Sequence, residues 1–202
     1  MKKIIITFVI LLAVLAGVFY LKSQNGTVAN NPTNSPTPSL SASPTPSSIA
    51  SNVPSDWKTY KNQSFGFELK YPNEWQYKPV DSEIICFGKT ITIVKQNIEG
   101  GRPTRCDGDH VLIWAQSGSM TDLEATIADR QKLKPNVEIR RFTIDGVNAA
   151  TIYETNGAET FFSSLDGKIS YTITLGIENN QNISLWRTYY ESMLSSFKFT
   201  AK

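Results

Sequence analysis

Histidine is nearly missing from these 202 residues: there is one, with two cysteines and three methionines. Each scarcity closes off some chemistry. A serine or cysteine triad would have only His110 as its base, and no G-x-S-x-G elbow occurs for that base to serve. Gly100-Gly101 leads into Arg102-Pro103-Thr104 rather than a Walker pattern, so no phosphate cradle is encoded. Ser-x-x-Lys occurs at Ser55–Lys58 and Ser195–Lys198, but one copy opens a strand and the other closes the chain, without companion motifs. No catalytic residue and no cofactor is assigned, and the chain is read as a non-enzyme.

Charge is missing from two long stretches. Ile4–Leu21 has none, lies between Lys2-Lys3 and Lys22, and as a helix would be about 27 Å long, enough to cross a bilayer core of about 30 Å. This predicts an anchor over 1–22, with the amino terminus inside and everything after residue 22 outside the cell. A cleaved signal peptide is the alternative: Val14-Leu15-Ala16 offers a small-residue site, although the apolar run continues through Val18, Phe19, Tyr20 and Leu21. No cysteine is near, which excludes a bacterial lipid-modified amino terminus. The second uncharged stretch, 23–55, holds six prolines and thirteen serines or threonines. It cannot bury enough apolar surface to offset its ordering entropy, so it reads as a disordered, extended spacer.

Residues 56–202 are long enough for one hydrophobic core. All 18 acidic residues fall there with 17 of the 20 basic ones, a net charge of −1. That balance carries no electrostatic footprint for nucleic acid. Cys86 and Cys106 are expected to pair in an oxidising compartment, closing a loop of about twenty residues and adding about 3 kcal/mol. Two buried free thiols are the main alternative, and a redox-active pair is disfavoured because the spacing is far from C-x-x-C.

Alternation marks the elements. "WKTY" (57–60) and "FGFELKY" (65–71) read as strands, the second ended by Pro72, with one helical turn through "PNEW" that folds Trp75 back onto the strand. "TITIVKQ" (90–96) and "HVLIWAQ" (110–116) follow, joined by a long loop. Thr121-x-x-Glu124 makes a capping box for a helix stopped by Pro135. "VEIRRFTI", "VNAATIYE", "ETFFSSL" and "KISYTITLGI" are divided by Asp145-Gly146, Asn156-Gly157 and Asp166-Gly167, three Asx-Gly turns that specify an antiparallel meander. A last helix, beginning near Asn182 or Ser184, carries Trp186, Tyr190, Met193 and Phe197 on one stripe. Strands segregated from a few helices predict an α+β fold, an antiparallel sheet flanked by helices.

"GFELKYPNEW", the late meander and the closing "MLSSFKF" together resemble the PsbP-like family over about 57–199. The resemblance implies the α/β/α sandwich that this family shares with the Mog1 proteins and with several bacterial lipoproteins. Photosynthetic members help retain calcium and chloride at the water-oxidising complex, and Mog1 proteins act on a small nuclear GTPase. No functional residue of either maps onto this chain. The anchor and spacer instead resemble those of surface-anchored prokaryotic members.

Three groups of residues are candidate sites. The loop 97–109 bears Arg102, Pro103 and Arg105, and binding residues concentrate on such loops. Tyr189 lies about 100° round the last helix from Tyr190, the one aromatic of Trp57, Tyr60, Trp75, Tyr77, Trp114, Trp186 and Tyr189 not expected to face inward, and exposed rings grip sugars or peptides. Asp107, Asp109 and His110 supply two carboxylates and an imidazole for a metal, although Asp-Gly-Asp is also ordinary turn chemistry. The sequence therefore predicts a binding or assembly module at the cell membrane whose partner is an envelope protein or polymer. A polymer hydrolase using acidic residues and a metal- or small-ligand-binding domain are the alternatives.

Overall fold

Four strand-forming runs over 138–176 build the centre of the molecule. The computed structural model describes residues 47–48, 53–95, 104–118, 120, 122–178 and 182–200. Its elements are β1 (Ser47–Ser48), β2 (Lys58–Asn62), β3 (Phe67–Tyr71), β4 (Gln76–Pro79), β5 (Ile84–Gly88), β6 (Thr92–Lys95), β7 (Thr104–Asp107), β8 (His110–Ser117), α1 (Leu123–Leu133), β9 (Glu138–Ile144), β10 (Val147–Glu154), β11 (Gly157–Ser163), β12 (Ile169–Gly176), α2 (Ile183–Ser196) and β13 (Lys198–Phe199). The main sheet runs β1-β9-β10-β11-β12-β8-β5-β4, a second runs β13-β3-β2, and β6 pairs with β7 as a separate ribbon. Every pairing except the parallel β1–β9 contact is antiparallel. This is the expected α+β meander with two helices.

β12 alternates buried and half-buried residues along its length, with Ile169, Tyr171, Ile173 and Leu175 turned into the core. There they meet Phe67, Leu69 and Tyr71 of β3 and Tyr190, Met193 and Leu194 of α2. α1 packs on β10, with Ile127 as its only buried side chain. The two segments that carry the family resemblance meet directly. β13 pairs with β3, setting Phe199 opposite Phe67, and the Phe197 ring stacks on Phe67 at 5.1 Å.

Local chemistry departs from the sequence expectations at several points. The "PNEW" segment is a turn closed by Trp75 N–H donating to Pro72 O at 3.0 Å, not a helical turn. Trp75 packs on Trp186 of α2, 4.7 Å between rings, within the same core cluster as Phe67, Leu69 and Tyr71 of β3. Of the three Asx-Gly turns only Asp145-Gly146 has positive φ at both residues, 46° and 84°. Asn156 does not, and Gly157 already belongs to β11, where a Cβ would lie 2.2 Å from Leu175 O. That glycine is required by close backbone approach, not by turn handedness. The third connection is a longer loop in which Asp166 accepts from Ser164 Oγ and Lys168 N, bonds that hold its carboxyl down at about 2. In α1 the cap is Asp122, accepting from Glu124 N at 2.8 Å. With Asp122 as the cap, Glu124 falls at the second helical position, one short of where a capping box needs it, and its two carboxylate oxygens accept from Arg141 of β9 at 2.9 and 2.7 Å.

β4 and β5 are not legible as strands in the sequence. β5 is buried at all five positions, so it shows a continuous apolar run instead of alternation. Upstream, Ser47–Ser48 lies along β9 and Val53 packs on the core, so folded structure begins before Asp56. Among the described residues no helix is long and apolar enough to cross a membrane. The proposed anchor Ile4–Leu21 lies outside them.

One buried polar chain crosses the core. Tyr190 Oη donates to Ile173 O at 2.7 Å, Thr160 Oγ1 sits 2.6 Å from Tyr190 Oη, and Thr151 Oγ1 sits 2.6 Å from Thr160 Oγ1. Since Tyr190 spends its proton on the carbonyl, Thr160 donates to Tyr190 and Thr151 to Thr160. Complete burial drives the Tyr190 phenol well above its usual pKa. Tyr190→Phe strips Ile173 O and Thr160 of their partner and is expected to cost about 1–3 kcal/mol in urea titrations. A variant as stable as the parent would mean that water takes over these bonds.

Candidate functional site

The 107–109 turn and Trp186 of α2, far apart in sequence, converge on one cleft of about 370 Å³. It is lined by Lys89, Thr90, Thr92, Asp107, Gly108, Asp109, Glu178 and Trp186. Beneath it a disulfide joins Cys86 of β5 to Cys106 of β7, with Cα atoms 6.1 Å apart and both residues buried. The expected pairing is therefore present, and it staples the β6–β7 ribbon to the main sheet. Ile91, Ile93, Val80 and Leu112 fill the space around it.

Two glycines set the walls. Gly108, at φ +82°, turns the chain from β7 to β8, and a Cβ there would lie 3.1 Å from Thr90 O. A Cβ on Gly88 would lie 2.8 Å from Asp109 O. Both contacts press the 88–90 backbone against the 108–109 turn. Lys78 Nζ donates to Ile91 O at 2.6 Å and helps fix the same segment. The far wall is held by a reciprocal clamp: Glu178 N donates to Asp109 Oδ1 and Gly108 N donates to Glu178 Oε1, each at 2.9 Å. Asp109 and Glu178 each spend one carboxylate oxygen this way. The Asp107 carboxylate makes no hydrogen bond or ion pair among the described residues.

Trp186 forms the apolar wall. Trp75 lies behind it, tilted by 34°, and Tyr189 meets it edge-on at 6.4 Å. Tyr189 also packs against Trp57 and Trp75. The solitary exposed ring expected at Tyr189 is thus half-buried in a four-ring cluster, and Trp186, assigned to the core stripe, is the ring that reaches the cleft. A helix of 3.6 residues per turn leaves both 186 and 189 at the margin of the buried stripe, and Trp75 packs against both, at 4.7 and 5.4 Å.

Asp107, Asp109 and His110 do not converge as a metal site. His110 Nδ1 donates to Gly108 O at 2.6 Å, and its ring lies over Gly176, where a Cβ would be 2.7 Å from Cε1. Among the described residues no three histidine, cysteine or carboxylate side chains are placed to hold an ion. The long loop expected over 97–109 is partly a strand: 104–107 pairs with β6, putting Arg105 in β7. Arg102 and Pro103 lie outside the described residues.

Neither the models of known protein families nor the characterised proteins match this sequence. Solved structures do. The chain is similar to a Bacteroides thetaiotaomicron protein, at 12% identity and a TM-score of 0.42 over 73% of its length, and it spans half of that protein. It is similar to the cyanobacterial PsbP (CyanoP) of Synechocystis sp. PCC 6803, at 13% identity and a TM-score of 0.45, over 76% of this chain and 98% of that one. It is similar also to the Ran-binding protein Mog1p of Saccharomyces cerevisiae, at 8% identity and a TM-score of 0.39, over 71% and 95%.

A second cluster of charge lies elsewhere and is structural. Tyr153 sits between the guanidinium groups of Arg140 and Arg187, 5.2 and 5.3 Å from its ring centre, and donates to Glu191 Oε1 at 2.7 Å. Burial and the Glu191 carboxylate push its phenol well up. Arg187 in turn donates to Glu154 O at 2.6 Å, so the group ties α2 to β10. Sequence reasoning missed Lys89, Thr90, Thr92 and Glu178, and no local signal marks them: their significance is positional.

Proposed function

We propose that the protein is a membrane-tethered binding and assembly module of the cell envelope, acting by contact and not by catalysis. The observation that carries this is the open cleft between the β6–β7 ribbon and α2, with a tryptophan wall backed by further rings and polar side chains not consumed by the fold. Such a combination of apolar platform and convergent polar groups is the usual anatomy of a binding site. The disulfide supports an oxidising, extracytoplasmic setting. The charge-free segment Ile4–Leu21, if it anchors the chain, would raise the effective concentration of the cleft at the membrane surface.

Site-specific photocrosslinking of the full chain in intact cells tests this reading. A crosslinker at position 89 is expected to give discrete adducts, and one at exposed Lys132 on α1 is expected to give none. Equal labelling from both positions, or none from 89, would sink the assignment of the contact surface to the cleft.

A further inference from the structure

We infer that the ligand of this cleft is a carbohydrate, with one pyranose ring stacked on Trp186. The inference rests on the cleft being the contact surface and adds the chemical class of what it takes. Three ligand classes meet the same walls differently. An anion would face Asp107, Asp109 and Glu178. A metal ion would find no three converging ligands among the described residues, because Asp109 and Glu178 each hold a backbone N–H with one oxygen. An organic cation would gain from the carboxylates but would meet the Lys89 ammonium in the same cleft.

A polyol uses both signs. Its hydroxyl groups donate to the free carboxylate oxygens and accept from Lys89 and the Thr90 and Thr92 hydroxyls, while its C–H face covers an aromatic ring. Mixed donors and acceptors beside a rigid apolar plate match a ligand that is itself donor, acceptor and amphipathic. The plate is held rigid because Trp75 backs Trp186 and Tyr189 abuts its edge. The volume of about 370 Å³ falls in the range of small-molecule sites and admits a sugar ring with part of its neighbour.

The test is a tryptophan-fluorescence titration of the detergent-solubilised full chain with chitotetraose, cellotetraose and a tetralysine peptide. At least one of the two glycans is expected to give a saturable change, and tetralysine none. Trp186→Ala should weaken glycan binding by about tenfold, the scale of one aromatic contact. Because Trp186 also packs on Trp75, a second pair of variants carries the decision independently of folding. Asp107→Ala should weaken binding by about fivefold, the loss of one hydrogen bond. Asp107→Asn keeps an acceptor oxygen and should stay within about twofold, whereas a site for cations would lose affinity with it as with alanine. Saturable tetralysine binding lost in Asp107→Asn, or no response to either glycan, overturns the inference. Crosslinks from position 89 to a protein, with no glycan response, would leave the binding module standing and remove the sugar. Glycan binding indifferent to both Trp186→Ala and Asp107→Ala would put the sugar elsewhere on the protein and overturn the inference too.

Discussion

Phe162→Ala is expected to lower the stability of the protein by about 3–5 kcal/mol. Phe162 is completely buried on the inner face of β11, where both layers of the core meet. Its ring stacks on Tyr171 of the next strand at 5.0 Å and meets Phe197, at the end of α2, edge-on at 5.0 Å. Phe199 of β13 closes the group at 6.3 Å. Truncation removes the burial of one ring and leaves a cavity whose neighbours are themselves pinned. Tyr171 is fixed by its hydroxyl, which donates to Phe65 O at 2.6 Å, and burial lifts that phenol to about 12. Phe67 and Phe199 are fixed by β-pairing. A site that cannot collapse keeps the full cavity penalty, which places the expected loss in the upper part of the range for such truncations. Urea titration of the full chain, followed by circular dichroism, reads the loss directly. Leu133→Ala, at a residue 75% exposed on α1, should move the stability by less than about 0.5 kcal/mol. Equal effects at the two positions would contradict the packing described.

The second large effect is expected on removing the Cys86–Cys106 bond. The double Cys86→Ser, Cys106→Ser variant should lose about 3 kcal/mol, the chain-entropy value for a loop of this length. That corresponds to a drop of about 6–12 °C in Tm for a domain of this size. The bond joins elements separated by 20 positions, and the ribbon it secures pairs with no strand of the main sheet. Apart from the disulfide, the ribbon is held by Ile91 and half-buried Val80, Ile93 and Leu112. Loss should therefore appear first as faster amide exchange in β6 and β7, ahead of the β10–β12 centre. Unchanged exchange in the ribbon and an unchanged Tm would show that apolar packing alone holds it. The cleft shares this staple, so the serine variant should also lose whatever the cleft binds.

The sequence by itself determined the meander, because four strand-forming runs are divided by three Asx-Gly pairs that punctuate the chain, and Asp145-Gly146 supplies the positive φ of its first turn. It determined the inward face of β3 and the closing stripe of α2 by periodicity. It also brought two cysteines within reach of one another, although their pairing depended on β5 lying beside the ribbon. Only the tertiary structure decided the rest. β5 hides its strand character because both of its faces are covered, which is a property of the neighbours and not of "IICFG". Asp122 caps α1 by accepting from Glu124 N, and the Glu124 carboxylate instead ties the helix to Arg141 of β9, seventeen residues on. Trp186 rather than Tyr189 reaches the cleft because of where Lys89 and the 107–109 turn lie beside α2. The cleft gathers residues from 89 to 186 that no spacing rule connects. A periodic pattern records which side of an element is buried; what lies opposite that side is set by how the chain returns, and binding surfaces are made of such returns.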